Sequence, residues 1–478
     1  MGHIEGESRY QRHLLAASLD EMVSATHMVR VVDAFIGGLD LRGLGFAEVE
    51  AAETGRPGYH PAVLLKLYVY GYLNQMRSSR RLEKEAERNI EVHWLIDRQT
   101  PCFKTIADFR KDHAEAIVGV CRSFVKFCKG QSLYGGQVVA IDGTKVEAVA
   151  SRKQVITPDV LEKRAAALDE RIKKYLAAMD EADREETAEE FDREALQAAL
   201  AELQRRRAET EAAAQALAKE GLSQRVVGEE DARLMKTARH GHQVAYNAQT
   251  AVDAKHGLIV TFELTNDCND ERQLLPMAEA AKQVLEVAEV TAVADTGYSS
   301  GEQGQACEAA GITAVVPRPQ VVNTKDKGKT LFTREAFTYD KASDSWTCPA
   351  GETLRPCEIS KERQITRYGT TACSGCALKP QCTEGKSRRI TRHFYEDARE
   401  AMHQRAVAEP SWMALRRNLV EHPFGIMKWL MGRPRFLVRG LRKTSAEMAL
   451  TVLGFNLKRT ITILGVPALL AALQAGSA

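Results

Sequence analysis

Apolar and polar positions follow three rhythms along the chain. Up to about residue 130 the apolar side chains recur at helical spacing, as in YHPAVLLKLYVYGYLNQMRSSRRLEKEAERN with Pro61 near a helix start. The same spacing returns in IADFRKDHAEAIVGVCRSFVKFC, beyond the turn-like Arg98-Gln99-Thr100-Pro101. The rhythm then shortens. GQVVAIDGTKVEAVAS alternates and is rich in Val, which predicts a strand, a turn at Asp142-Gly143-Thr144 and a returning strand. From Asp159 to Gly221 the composition shifts to Ala, Glu, Lys, Arg and Leu. Leu161, Ala165, Leu168, Ile172 and Met179 keep near-heptad spacing, resumed by Leu196, Leu203 and Leu217. Two helices folded back as a coiled-coil hairpin are predicted, with a break near Glu185–Glu190.

Strand character returns in HQVAYNAQTAVDAKHGLIVTFELTN, with Lys255-His256-Gly257 as the turn. A helix from Glu271, the strand TAVADTGY, a helix from Ser300 to Ala310 and the strand ITAVVPRP follow. With the hairpin set aside, the order is strand, strand, strand, helix, strand, helix, strand. That is the order of an RNase H-like α/β domain interrupted after its first strand. The expected fold is a mixed sheet flanked by helices, with an all-α N-terminal domain, an inserted helical hairpin and a small Cys-rich, zinc-ribbon-like insertion. The predicted boundaries are 1–132 for the N-terminal domain and 133–158 with 222–335 for the first part of the core. The hairpin occupies 159–221, the Cys-rich insertion 336–395, and C-terminal helices of the core 396–478.

Composition narrows the class. Of 478 residues, 44% are hydrophobic and 27% charged, the balance of a globular protein rather than a membrane one. No run reaches the roughly 20 apolar residues of a membrane helix, and the start has no secretory h-region. A cytoplasmic protein is expected. The formal net charge is only +2, but Ser411 to Thr460 holds ten Lys or Arg against two Glu. Such a block neutralises phosphates, or serves as a solvated basic helix face. Arg77, Arg80 and Arg81 form a second basic cluster, between apolar stretches.

Two carboxylates stand out. Asp142 in VVAIDGTK and Asp295 in TAVADTGY each close an apolar strand, where rigid backbone holds a carboxylate while its oxygens meet solvent or metal. Asp-Gly pairs also form turns, so either residue taken alone fits a structural role. Asp267 and Asp270, in LTNDCNDE, are rivals for the second position; that run also reads as a turn and helix cap. Glu421, in RRNLVEHPFGIMKWLMG, lies four residues after Arg417 and seven before Lys428, near one helix face. It is equally readable as half of an Arg–Glu surface pair. Pro423 implies that a helix begins or kinks there. Three hard oxygen ligands suit Mg2+ or Mn2+, and two such ions suit phosphodiester displacement.

The strings AIDGTKVEA, AVADTGYSS and NLVEHPFGIMKWLMG resemble the three catalytic blocks of bacterial insertion-sequence transposases of the DDE class. FLVRGLRKTSAEMALTVLGFNLKR resembles the segment that follows their catalytic Glu, and GYHPAVLLKLYVYGYLNQMRSSRRLEKEAERN their opening helical domain. The resemblance implies a metal-binding triad of Asp142, Asp295 and Glu421, with Arg417 and Lys428 of a Tyr–Arg–Glu–Lys signature beside it. The Tyr position of that signature is Ala414. It also implies two-metal-ion cleavage and strand transfer, double-stranded DNA partners (terminal inverted repeats and target DNA), and a homodimer or higher assembly at the nucleoid. Arg77, Arg80, Arg81, Arg416, Arg433, Arg435 and Arg439 are the expected DNA contacts. The alternatives are a nuclease that does not join strands and a non-catalytic DNA-binding protein derived from a transposase.

Ten cysteines in a cytosolic chain argue against disulfides. Five stand between Cys348 and Cys382; Cys348, Cys373, Cys376 and Cys382 are the expected structural zinc ligands, with Cys357 as substitute. A reduced cluster of unliganded thiols is the alternative. The close pair His240 and His242 reads as solvent-facing or phosphate-contacting, and Trp412 and Trp429 as core residues.

Overall fold

The computed structural model describes residues 18–50, 57–184, 193–237, 241–319, 324–325 and 329–475. Seven helices open it: α1 (Leu19–Met22), α2 (Met28–Gly37), α3 (Pro61–Leu73), α4 (Ser79–Arg88), α5 (Ile90–Leu95), α6 (Phe103–Asp112) and α7 (Ala114–Gly130). Pro61 starts α3, as its fixed φ and missing N–H allow, and the His60 side chain accepts from Ala62 N. The helix buries residues all round because neighbours surround it: α2, α5 and, from the far end of the chain, α15 (Leu441–Leu464). α15 also packs on α7, where Val120, Phe124 and Cys128 lie on the buried face. The N-terminal helices share one hydrophobic core with the C-terminal ones. α16 (Val466–Ala475) leaves α15 at a bend of 109° and returns onto α2. Among the described residues no single helix is long and apolar enough to cross a membrane.

The central sheet comprises β1 (Val138–Glu147), β4 (Arg233–Thr237), β5 (Gly241–Asp253), β6 (Ile259–Thr265), β7 (Val290–Val293) and β8 (Ile312–Val315). β5 is antiparallel to β1, and its other edge is shared by β4 and β6. β7 and β8 continue the sheet beyond β1 as parallel strands. The Lys255-His256-Gly257 turn joins β5 to β6, with Gly257 at φ 67°. Alternate residues of β1 face opposite cores. Ala140 and Val146 join the N- and C-terminal helices, whereas Val139 and Ile141 meet α10 (Leu274–Leu285) and α11 (Gly301–Ala309).

The expected turn at Asp142-Gly143-Thr144 does not occur. β1 runs through it, pairing Asp142 with Thr250, Gly143 with Gln249 and Thr144 with Ala248. The thirteen-residue β5 offers a partner along the whole of β1, and that ladder outweighs the local Asp-Gly turn preference.

A short pair, β2 (Val155–Ile156) and β3 (Arg225–Val226), forms the base of the expected helical hairpin, α8 (Pro158–Arg184) and α9 (Arg193–Lys219). Leu161, Leu168, Leu203 and Leu217 are buried between its arms, as heptad spacing requires. The expected break at Glu185–Glu190 and His240 lie outside the described residues. β9 (Thr324–Lys325) and β10 (Lys329–Thr330) pair as a small ribbon. A five-stranded antiparallel sheet then follows: β11 (Thr338–Asp340), β12 (Ser345–Thr347), β13 (Thr353–Ser360), β14 (Ile365–Gly369) and β15 (Arg389–His393). It closes on Phe337, Trp346, Leu354, Tyr368 and Ile390. The one-turn α12 (Lys379–Cys382) precedes β15, and α13 (Glu396–Ala408) and α14 (Ser411–Met431) lead back to the main body.

Candidate active site

The parallel register of β1 and β7 creates the site. Ala140 pairs with Val293, the last residue of β7. Two residues further along each chain stand Asp142 and Asp295. Asp142 shares the face of Ala140, on the side where α14 crosses β1. Its Oδ1 accepts from Gly143 N at 2.9 Å. Asp295 has already left its strand and caps the turn Thr296–Tyr298, with Oδ1 accepting from Gly297 N at 2.8 Å.

α14 delivers a cation between them. Arg416 Nη2 is 2.6 Å from Asp142 Oδ1 and 3.2 Å from Asp295 Oδ2. The Asp142 side chain is 17% exposed and that of Asp295 45%. Burial pushes the Asp142 carboxyl up to about 6, against the pull of Arg416 and helped by repulsion from Asp295. One guanidinium thus faces two carboxylates, leaving the pocket short of positive charge.

Glu421 is not brought to this pair. It is solvent-exposed, and its position on α14 explains why. Five residues separate it from Arg416, a rotation of about 140° around the helix. The turn that carries Arg416 inward therefore carries Glu421 away. Among the described residues, no group of three or more His, Cys, Asp or Glu stands where it could hold a metal ion. Arg417 and Lys428 are also exposed, Lys428 with its Nζ 5.9 Å above the Phe424 ring. Pro423 neither starts nor ends the helix, which runs through it from Ser411 to Met431.

Arg416, assigned from sequence to DNA contact, is the residue that meets the acids. Its signal was present in the helix period: Val420, Phe424 and Met427 are buried on α14, and Arg416 stands four residues before Val420.

A second polar group lies on the opposite face of β1. Lys145 Nζ reaches Asp270 Oδ1 at 3.0 Å, and Asn247 Nδ2 and Gln249 Nε2 each donate to the same oxygen at 2.7 Å. Tyr298 donates to Gln249 Oε1. A Cβ on Gly143 would lie 2.4 Å from Gln249 Nε2 and 2.9 Å from Asp270 Oδ1, so this close approach needs glycine. Asp270 is thereby clamped, and Asp267 accepts from Gln273 Nε2 at 2.6 Å. Neither rival replaces Asp295 beside Asp142.

The other expected arginines divide. Arg77 is only 7% exposed and donates to the carbonyls of Arg433 and Arg435, each at 2.9 Å, so it is a structural clamp rather than a DNA contact. Arg435 is likewise engaged, with Nε donating to Ala148 O at 3.1 Å. Arg80, Arg81, Arg433 and Arg439 are exposed. Arg80 lies over the Phe103 ring, and Arg433 is 3.3 Å from Glu147. Trp412 packs on Val293, Val315 and Ala406 as expected, but Trp429 is 54% exposed with Lys458 above its ring.

Cys348, Cys373, Cys376 and Cys382 line one cavity at the edge of the small sheet. Cys357 does not join them. It occupies a bulge where β13 shifts register against β14, and its Sγ donates to Arg367 O at 3.3 Å.

Residues 17–112 match the family model of a transposase domain (DUF772), and residues 347–461 that of a transposase DDE domain. The second match contains Glu421 and the four cavity cysteines and begins after Asp142 and Asp295. No curated protein matches the chain. Among solved structures, the cryo-EM piggyBac transposase synaptic complex with hairpin DNA aligns over 95% of this chain and 79% of that one. Its identity of 7% and TM-score of 0.33 are too low to support a structural argument. A transposase-domain match over 17–112 and a transposase DDE-domain match over 347–461 together support an insertion-sequence DDE transposase.

Proposed function

We propose that this transposase binds the terminal inverted repeats of its element, cleaves DNA there and joins the freed ends to target DNA. The observation that carries the reading is the convergence of Asp142 and Asp295 on one cationic group at the end of a parallel strand pair. A protein that merely binds DNA gains nothing from two acids that repel phosphates, which argues against the non-catalytic alternative. The strand sequence β6-β5-β1-β7-β8, three antiparallel strands and then two parallel ones, supports an RNase H-like core.

The family uses divalent metal, and the two aspartates fit it. They are hard oxygen donors, one of them buried, with a guanidinium lying where a cation is favoured. Asp142 and Asp295 would hold Mg2+ or Mn2+, and Glu421, the third acid of the family resemblance, would complete the set if α14 turns it inward. The chemistry supplied by such ions is activation of an attacking oxygen and stabilisation of the leaving one in phosphodiester displacement. Arg417 and Lys428, exposed on α14, offer positive charge to the DNA strand that approaches the acids. Exposed Arg80, Arg81, Arg433 and Arg439 extend that basic surface, and binding to two repeats suits a dimer or larger assembly in the cytoplasm.

A structural Zn2+ in the small sheet would need the four cysteines that line one cavity, which are not gathered as a ligand set here, to close around it; Cys357 stands apart in its bulge.

A cleavage and strand-transfer assay with terminal-repeat duplexes and Mg2+ tests the function. Asp142→Asn and Asp295→Asn are expected to abolish both steps while leaving DNA binding intact. Glu421→Gln with undiminished cleavage would remove Glu421 from the site. Full cleavage by either aspartate variant would overturn the reading.

A further inference from the structure

A cleft away from the acid pair joins the two ends of the chain. One wall is formed by Ser78, Ser79 and Lys111 at α4 and α6; the other is the segment Leu437–Arg439 with Lys443 of α15. Arg110 lies at its base, 6% exposed. Four cations therefore line the cleft against one acid, Asp108, which Lys111 reaches at 3.5 Å.

Both walls are anchored by buried charge. Glu447, fully buried on α15, lies 2.7 Å from Arg110 Nη1 and accepts from Leu437 N at 2.8 Å. Arg77 grips the carbonyls of Arg433 and Arg435 from the α3–α4 connection. The cleft is thus preformed, and a ligand need not order it. Apart from the Asp108 carboxylate, its polar side chains are hydroxyl, guanidinium and ammonium, the donors that recognise phosphate oxygens. Exposed Arg80 and Arg81 lie in the first turn of α4, next to Ser79, and exposed Arg433 lies on the α14–α15 connection.

We propose that this cleft seats a phosphate of the DNA backbone, with Ser79, Arg439 and Lys443 as its contacts. The inference rests on the DNA-processing function above and adds a fixed anchoring point between the N-terminal and C-terminal transposase segments. Such a contact is blind to sequence and strongly salt-dependent.

The test is fluorescence anisotropy of a labelled mixed-sequence duplex titrated with full-length protein over a range of salt. Two variants are compared with wild type: Ser79→Asp, and the double change Arg439→Gln with Lys443→Gln. An acid at Ser79 suits the first turn of α4, so that helix is retained while the cleft gains a negative charge. Lys173→Gln with Lys174→Gln on the hairpin removes equal charge elsewhere. The expected result is affinity about ten-fold weaker for both cleft variants, with a log–log salt slope shallower by about one for the double change. The hairpin control is expected to bind like wild type. Wild-type affinity and slope in both cleft variants would overturn the inference and leave the DNA-processing function standing. No duplex binding by the wild type at any salt would overturn both. An equal loss in the hairpin control would reduce the effect to overall charge and overturn the cleft alone.

Discussion

Arg416 and Asp142 are in contact at 2.6 Å, in a pocket where the same guanidinium also reaches Asp295 at 3.2 Å. A cation placed against both carboxylates competes with any metal they hold. Arg416→Ala is therefore expected to tighten Mn2+ binding in the absence of DNA, measured by calorimetry on the purified protein. It is also expected to lower the melting temperature of the metal-free protein above pH 7, where two carboxylates would face each other without a partner. Unchanged Mn2+ affinity would show that Arg416 leaves the pair at no cost.

Asp142 links the site to pH. Its carboxyl is pushed from 3.8 up to about 6 by burial, so the folded state holds its proton more tightly than the unfolded chain. The associated stability is present below pH 3.8 and is lost as pH rises through about 6. The loss is on the order of 2–3 kcal/mol. Urea titrations of the metal-free protein between these limits should show that fall, and Asp142→Asn should flatten it. An identical slope in the variant would place the titration elsewhere.

Glu447 holds the two ends of the chain together by charge. It is fully buried, paired with Arg110 at 2.7 Å and 3.9 Å from Arg77 Nη1. The contact to Arg110 is close without the alignment of a hydrogen bond, so its strength is Coulombic. Glu447→Gln leaves two buried guanidinium groups without an anion, a change expected to cost about 3–5 kcal/mol. Chemical denaturation provides the measurement; a cost below about 1 kcal/mol would mean that the arginines find other partners.

Gly143 cannot gain a side chain without breaking the group behind Asp142. Its Cβ would meet Gln249 and Asp270 at 2.4 and 2.9 Å. Gly143→Ala is expected to destabilise by about 1–3 kcal/mol and to reduce cleavage, because the hydrogen-bonded Gln249 and Asp270 side chains must move apart to relieve the contact. Wild-type stability would show that Gln249 and Asp270 yield freely.

The cysteines make a separate prediction. Elemental analysis of purified protein should find about one zinc per chain, lost in Cys376→Ser and retained in Cys357→Ser. Zinc well below one equivalent in the wild type would end the zinc proposal, and equal loss in both variants would contradict the role of the bulge at Cys357.

Much of the fold was legible in the sequence because it is written in local periods. The alternation around Asp142 and the apolar run ending at Asp295 marked two buried strands, and the heptad of Leu161, Leu168, Leu203 and Leu217 marked a hairpin whose arms bury those residues. Strand-end position marked the two aspartates, while the family motifs added Glu421 and set the expectation of a transposase. What remained open depended on contacts distant in sequence. The turn expected at Asp142–Thr144 became continuous strand because β5, a hundred residues later, pairs along its whole length. Arg77 became a clamp because the carbonyls of Arg433 and Arg435 fold against it. The choice of Arg416 over Arg417 was decided by rotation of α14, since about 100° separates successive residues and only packing selects which one faces inward. Periodicity and motif determine which residues are candidates. Register and helix rotation, set by tertiary packing, decide which of them meet.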